Sequence, residues 1–292
     1  MLLIRSNCCV TLSFALLGCW AWPGRVCTAE FPDSGQVRDI VVVGTSPDHA
    51  AVIAGHAAAM RRDIHTMLLG SALPRPWVPV CEIHVHATPA AFARAVAGAP
   101  QTATGATSIE FVGDVVRLRR IDVVAAGGGG IPAALNHELV HCVLADRFPN
   151  GPPPRWADEG LATLFDAPSK QQGHEADFQA AAARGQIWSL AGLMALEAEP
   201  SEPSRQRVFY GQSAAVVRWL LARGDGPLFL RFLDDAAAKG NAAALRTHYR
   251  ITSLPAMEQE WRADPADLPA GLEPHLLQGR HEPRAGAVQS AD

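Results

Sequence analysis

Residues 135–160 read LNHELVHCVLADRFPNGPPPRWADEG: two histidines four positions apart, a glutamate between them, a proline-rich break and then an acidic pair beside a tryptophan. On an α-helix His137 and His141 stand about 40° apart round the axis and roughly 6 Å apart along it, so both imidazoles can converge on one metal ion. Glu138 points about 100° away from His137 and about 60° away from His141. It therefore sits beside such an ion rather than on it, where a carboxylate can take a proton from bound water.

Zinc in hydrolases usually takes three protein ligands and keeps a fourth position for water, so two histidines alone are not a site. Pro149, Pro152, Pro153 and Pro154 cannot continue a helix, which places the end of the first helix near Arg147 or Phe148. Pro154 suits the start of a second helix, and Glu159 lies in its first turns, where an antiparallel return brings it back to the histidines. The competing reading is an ordinary helix carrying a solvated surface histidine pair. An apolar helical pattern through Ile131, Leu135, Leu139, Val143 and Leu144, followed by a loop and a second acidic helix, favours the metal site.

His137-Glu138-Leu139-Val140-His141 and Trp156 to Ala162, reading Trp-Ala-Asp-Glu-Gly-Leu-Ala, with seventeen residues between His141 and Glu159, resemble the glutamate zincins, or gluzincins. That family includes thermolysin and the aminopeptidase N enzymes, and the chain is similar in particular to the bacterial peptidase MA-like group of small exported proteins. The resemblance implies that His137, His141 and Glu159 ligate zinc and that Glu138 is the catalytic base. Asp158, next to Glu159, is then a cap-type acceptor or an outer partner of the site. The stretch from Phe209 to Leu221 is similar to the helix that backs the site in that group. Two features of the wider family have no counterpart. Ser108 to Leu118 holds no Gly-Ala-Met-Glu-Asn stretch of the kind that grips a free amino terminus, and His174 and His248 lie in no motif resembling the oxyanion histidine of thermolysin-like enzymes.

The expected activity is hydrolysis of a peptide bond by metal-activated water, with Glu138 taking the water's proton and passing it to the departing amine. Tyr210, one of only two tyrosines, is the candidate oxyanion donor because it precedes the helix that should back the site; a buried core ring is its alternative role. Two other functions compete: an exported zinc-binding accessory module with little activity, and a zinc amidase or esterase acting on non-peptide substrates. A retired enzyme has no chemical need for Glu138, which argues against the first.

Residues 1–29 read as a secretory signal, with Arg5 ahead of an apolar run from Cys8 to Trp22 and small residues at Cys27-Thr28-Ala29. Leu16-Leu17-Gly18-Cys19 offers a lipoprotein reading with Cys19 lipidated, which Trp20 fits poorly. Either way the expected location is outside the cytoplasm, periplasmic or secreted. Four of the six cysteines, Cys8, Cys9, Cys19 and Cys27, lie in this leader, leaving Cys81 and Cys142 as a buried thiol pair or a single disulfide. A net charge of −4 without a basic stripe gives no expectation of nucleic-acid or anionic-membrane partners, and no transmembrane span is expected; the expected partner is a peptide or protein substrate.

The elements that must position the motif are expected to form an α+β fold, a small mixed sheet with the zinc-site helix followed by a mainly helical half, and the resemblance to gluzincins implies that it is zincin-like. Residues 30–264 are expected to form the catalytic domain, with the sheet in 30–126 and the helices and zinc site in 127–264; residues 265–292 are rich in proline, glycine and charge and are expected to be disordered. Asp39 to Gly44 reads as a buried strand, Pro47 to Leu69 as an alanine-rich helix and Val78 to His86 as a strand. That last strand turns Cys81, Ile83 and Val85 to one face and Glu82, His84 and His86 to the other, where a solvated face is favoured over a second metal site. A hairpin turn is expected at Gly113-Asp114. The resemblance places a substrate-binding edge strand at Val115 to Ile121, beside the zinc helix. Gly127 to Gly130 reads as a flexible loop, and helices are expected near 177–184, 211–223, 228–238 and 254–262.

Overall fold

A computed structural model of the protein describes residues 39–71, 74–98 and 103–263. The expected leader and the tail beyond residue 264 lie outside the described residues. The fold is α+β: a four-stranded mixed sheet and a mostly helical remainder.

Strand β1 (Ile40–Val43) leads into helix α1 (Pro47–Leu69), whose start is capped by the Ser46 hydroxyl with proline in the first turn, and whose end is closed by left-handed Gly70. Strand β2 (Cys81–His86), helix α2 (Pro89–Ala95), and the hairpin of β3 (Gly105–Val112) and β4 (Val115–Val124) follow. The two-residue hairpin turn uses Gly113 at φ 64°, a conformation glycine adopts without a steric penalty. The sheet order is β1-β2-β4-β3, with β1, β2 and β4 parallel and β3 antiparallel to β4.

Two expectations are corrected here. The strand from Val115 is not an edge: β4 is hydrogen-bonded on both sides, to β2 and to β3, and β3 forms the edge on that side among the described strands. A hairpin partner must pair with its neighbour, and the parallel pairing with β2 takes the other side of β4. Strand β1 is buried on one face only, since Val41 and Val43 are exposed; an unbroken apolar run does not distinguish an edge strand from a central one.

After a glycine turn at Gly127–Gly129 come α3 (Leu135–Arg147), α4 (Arg155–Thr163), α5 (Pro168–Ala183), α6 (Leu190–Met194), α7 (Pro203–Ala222), α8 (Gly226–Lys239), α9 (Asn241–Tyr249) and α10 (Leu254–Ala263). Helix α3 ends at the expected place, with Phe148 as its C-cap. Helices α5 and α7 begin about two turns earlier than expected, because Pro168 and Pro203 in their first turns start a helix and do not break it. Tyr210 consequently lies inside α7, not ahead of it. The short α6 and alanine-rich α9 carry too few periodic apolar positions to stand out in the sequence.

Helix α3 packs against β3 and β4 on one side and against α1 and α4 on others, while α7 lies across α4 and α5. From Leu135 through Ala145, every α3 residue except Asn136 is buried. Among the described residues no helix is long and apolar enough to cross a membrane.

Candidate metal centre

Burial of α3 excludes one of the two readings of its histidines. His137 is 8% exposed and His141 2%, so this is no solvated surface pair. Buried polar groups require partners, and the structure supplies them from α4 and the turn after it. Glycine sets the approach of α4: a Cβ on Gly160 would lie 2.7 Å from the Ser213 carbonyl oxygen and 2.7 Å from Val217 on α7. Only a residue without a side chain lets α7 press this close, and that contact presents the preceding Asp158 and Glu159 to α3.

His137 Nε2 lies 3.3 Å and His141 Nε2 3.9 Å from the same oxygen, Glu159 Oε2. One ligand atom from each of the three residues lies within 4.8 Å of the other two. The opposite ring nitrogens are held by other carboxylates. His141 Nδ1 is 2.7 Å from Asp158 Oδ1, and His137 Nδ1 is 3.3 Å from Asp166 Oδ1, an ion-pair distance without the alignment of a hydrogen bond. With Nδ1 of His141 donating to Asp158, its Nε2 carries the lone pair, and that atom is buried with no hydrogen-bond partner. Two imidazole nitrogens, one of them the orphaned His141 Nε2, and one carboxylate oxygen fit a borderline divalent cation such as zinc.

The electrostatics point the same way. Burial opposes charge on His137, but Asp166 and Glu159 outweigh it and raise its pKa to about 10. Burial likewise opposes charge on His141, yet Asp158 and Glu159 raise its pKa above the ordinary value. Burial would raise the Glu159 carboxyl, but His141, His137 and Arg155 hold it well below the usual range. The site concentrates negative charge around two histidines, and a cation can take the place of the protons that now balance it.

Glu138 accepts a hydrogen bond at Oε2 from the Thr107 hydroxyl at 2.7 Å. Tyr210 stands in the same region, where burial, then Glu159 and Glu199, push its phenol up. Its hydroxyl donates to Glu199 Oε2 at 2.6 Å. Arg155 ties this group to the centre, donating to Glu159 Oε1 at 2.7 Å, to Asp158 Oδ2 at 3.1 Å and to Glu199 Oε1. His174, its ring 5.2 Å from that of Tyr210, is buried with both ring nitrogens unpartnered, and burial together with Lys170 lowers its pKa to about 4.

The structure thus brings together His137, Glu138, His141 and Glu159, and places Asp158 outside the ligand set as a partner of His141. A scan against protein-family models and a search of curated proteins each find no match for the chain.

Sequence reasoning missed Asp166, Arg155, Glu199 and Thr107. Arg155 had a signal, since it stands three and four residues before Asp158 and Glu159 on one helix. The other three reach the site through tertiary packing, and no local spacing announces them. His84 and His86 on β2 form no metal cluster among the described residues: His84 meets Glu82 at 3.0 Å, and His86 meets Asp122 at 2.7 Å. Cys81 and Cys142 are buried free thiols, and burial, then its hydrogen bond with Cys81, pushes the Cys142 thiol up.

Proposed function

We propose that the chain is an exported zinc-dependent metallopeptidase of the gluzincin type, with a zincin-like catalytic domain and a kinship to the peptidase MA-like group. The carrying observation is the meeting of His137, His141 and Glu159 around one small volume, with the Glu138 carboxylate on the same helix beside them.

In this reading His137 Nε2, His141 Nε2 and Glu159 Oε2 hold the ion, and Asp158 and Asp166 orient the two rings through their far nitrogens. Zinc bound there supplies Lewis-acid activation of a water molecule and of the scissile carbonyl. Glu138 accepts the proton given up by that water and delivers it to the departing amine nitrogen. Arg155 keeps Glu159 ionised and fixed through Oε1, leaving Oε2 to face the histidines. Substrate is an extended peptide or protein segment, and the edge available to it beside α3 is β3 in place of β4. Tyr210 reaches an oxyanion only by releasing Glu199.

The test is purified chain assayed on casein and a peptide library, with zinc, with chelator, and as Glu138→Gln. Retained zinc with hydrolysis reduced by at least about 100-fold in the variant supports the reading, in line with the usual worth of a general base. Undiminished hydrolysis by Glu138→Gln rejects it.

A further inference from the structure

Glu138 is the acidic residue of the centre that neither histidine nor Arg155 orients. Among the described residues its carboxylate has one hydrogen-bond partner, the Thr107 hydroxyl, which lies 2.7 Å from Oε2 and 3.1 Å from the Glu138 carbonyl oxygen. Thr107 is fully buried on β3, opposite Ile121 of β4. A β-branched side chain in a strand has restricted χ1 freedom, so the hydroxyl oxygen is held in place, and its single proton, with two acceptors in reach, goes to the nearer one, Oε2. A hydroxyl donating to a carboxylate is also among the stronger hydrogen bonds a neutral side chain makes.

Two positions earlier, on the same face of the strand, stands Gly105. A Cβ there would lie 2.6 Å from Glu138 Oε1 and 2.6 Å from the Ala134 Cβ, closer than real side-chain atoms approach. Strand β3 therefore meets both carboxylate oxygens: it grips Oε2 with a hydroxyl and leaves room for Oε1 by lacking a side chain. Glycine weakens a strand, and its presence here matches a place where another group approaches the backbone closely.

We propose that Gly105 and Thr107 position the general base, with the Thr107 hydroxyl anchoring Oε2 and the gap at Gly105 admitting Oε1. The inference rests on the hydrolase reading for its catalytic meaning. Oε2 accepts the Thr107 hydrogen bond and Oε1 has no hydrogen-bond partner among the described residues, so in this proposal Oε1 takes the proton from water and returns it to the amine nitrogen. Thr107 and Gly105 are positioning residues and touch no substrate atom.

The test uses the zinc-loaded full chain with Thr107→Val, which keeps the shape and removes the donor, Thr107→Ser, which restores the hydroxyl, and Gly105→Ala. Expected for Thr107→Val are wild-type zinc content, KM within about twofold, and kcat lower by about 10 to 100-fold, the range typical of a lost outer partner. Thr107→Ser should return most of that loss, and Gly105→Ala should lower kcat with Thr107 intact. Crystal structures of the zinc-loaded wild type and of Thr107→Val give a readout independent of activity: the carboxylate should stay on Thr107 in the first and leave β3 in the second. Unchanged kcat in Thr107→Val, or a wild-type Thr107 hydroxyl beyond about 3.5 Å from both carboxylate oxygens, overturns the inference. If Thr107→Val does not fold, the wild-type structure and Gly105→Ala decide it. A wild-type protein that hydrolyses nothing fails the functional reading, while the two crystal structures still decide whether Thr107 holds Glu138.

Discussion

Asp158 Oδ1 and His141 Nδ1 lie 2.7 Å apart with both side chains almost fully buried, so this carboxylate holds the far nitrogen of the histidine and lies outside the His137, His141 and Glu159 cluster that could hold a metal. Adjacent residues on a helix point about 100° apart, which lets Asp158 and Glu159 reach opposite sides of the same imidazole.

Glu159→Gln should therefore abolish stoichiometric zinc binding, while Asp158→Asn should weaken it by about 10 to 100-fold and still saturate. Titration of each variant against a competing chelator measures this. The reverse order would make Asp158 the ligand.

Zinc uptake should release at least one proton at pH 7, because His137, at about 10, is charged in the metal-free protein, and His141, whose pKa is raised above the ordinary value, adds a further fraction. The sign for stability follows. A histidine raised above its unfolded value near 6.5 stabilises the metal-free fold fully below that pH, and the contribution disappears as pH rises through about 10. Calorimetry of zinc binding in buffers of different ionisation enthalpy counts the protons. Release of none would place both histidines in the neutral form beforehand.

His174 should make the fold acid-sensitive. Its folded pKa of about 4 lies below the unfolded value near 6.5, so the unfolded chain binds the extra proton between those limits. Stability is complete above pH 6.5 and falls as pH drops toward 4, by about 2 kcal/mol on going from pH 7.5 to 5. Urea unfolding at the two pH values should show this loss in the wild type and a smaller one, by that amount, in His174→Phe. Equal losses in both would remove His174 as the cause.

Arg155→Met should cost about 3 kcal/mol, because it strips a partly buried guanidinium from the buried carboxylates of Asp158 and Glu159 and from partly buried Glu199. Urea unfolding measures the loss, and zinc affinity should fall with it as Glu159 loses its hold on Oε1. Wild-type stability would mean that water replaces the guanidinium at no net cost.

Much of the site is legible in the chain because its main parts are local. His137, Glu138 and His141 follow from helical periodicity, and the end of α3 at Arg147 and the start of α4 at Arg155 follow from the prolines between them, which cannot donate to a helix. The Gly113-Asp114 hairpin is equally local, since the turn needs a residue that tolerates positive φ. What the tertiary structure alone decided is which distant residues complete the centre and which strand flanks it. Thr107 meets Glu138 across 31 positions and Glu199 meets Arg155 across 44, contacts created by packing β3 on α3 and by the long path of the chain round α4 to α7. The placement of β3 at the edge depends on β4 finding β2 as a parallel partner, a long-range pairing that two apolar strands of similar pattern leave undetermined in sequence. Residues three or four apart on a helix have their geometry set by the backbone; residues joined through a buried hydrogen bond acquire theirs only when the core closes around them.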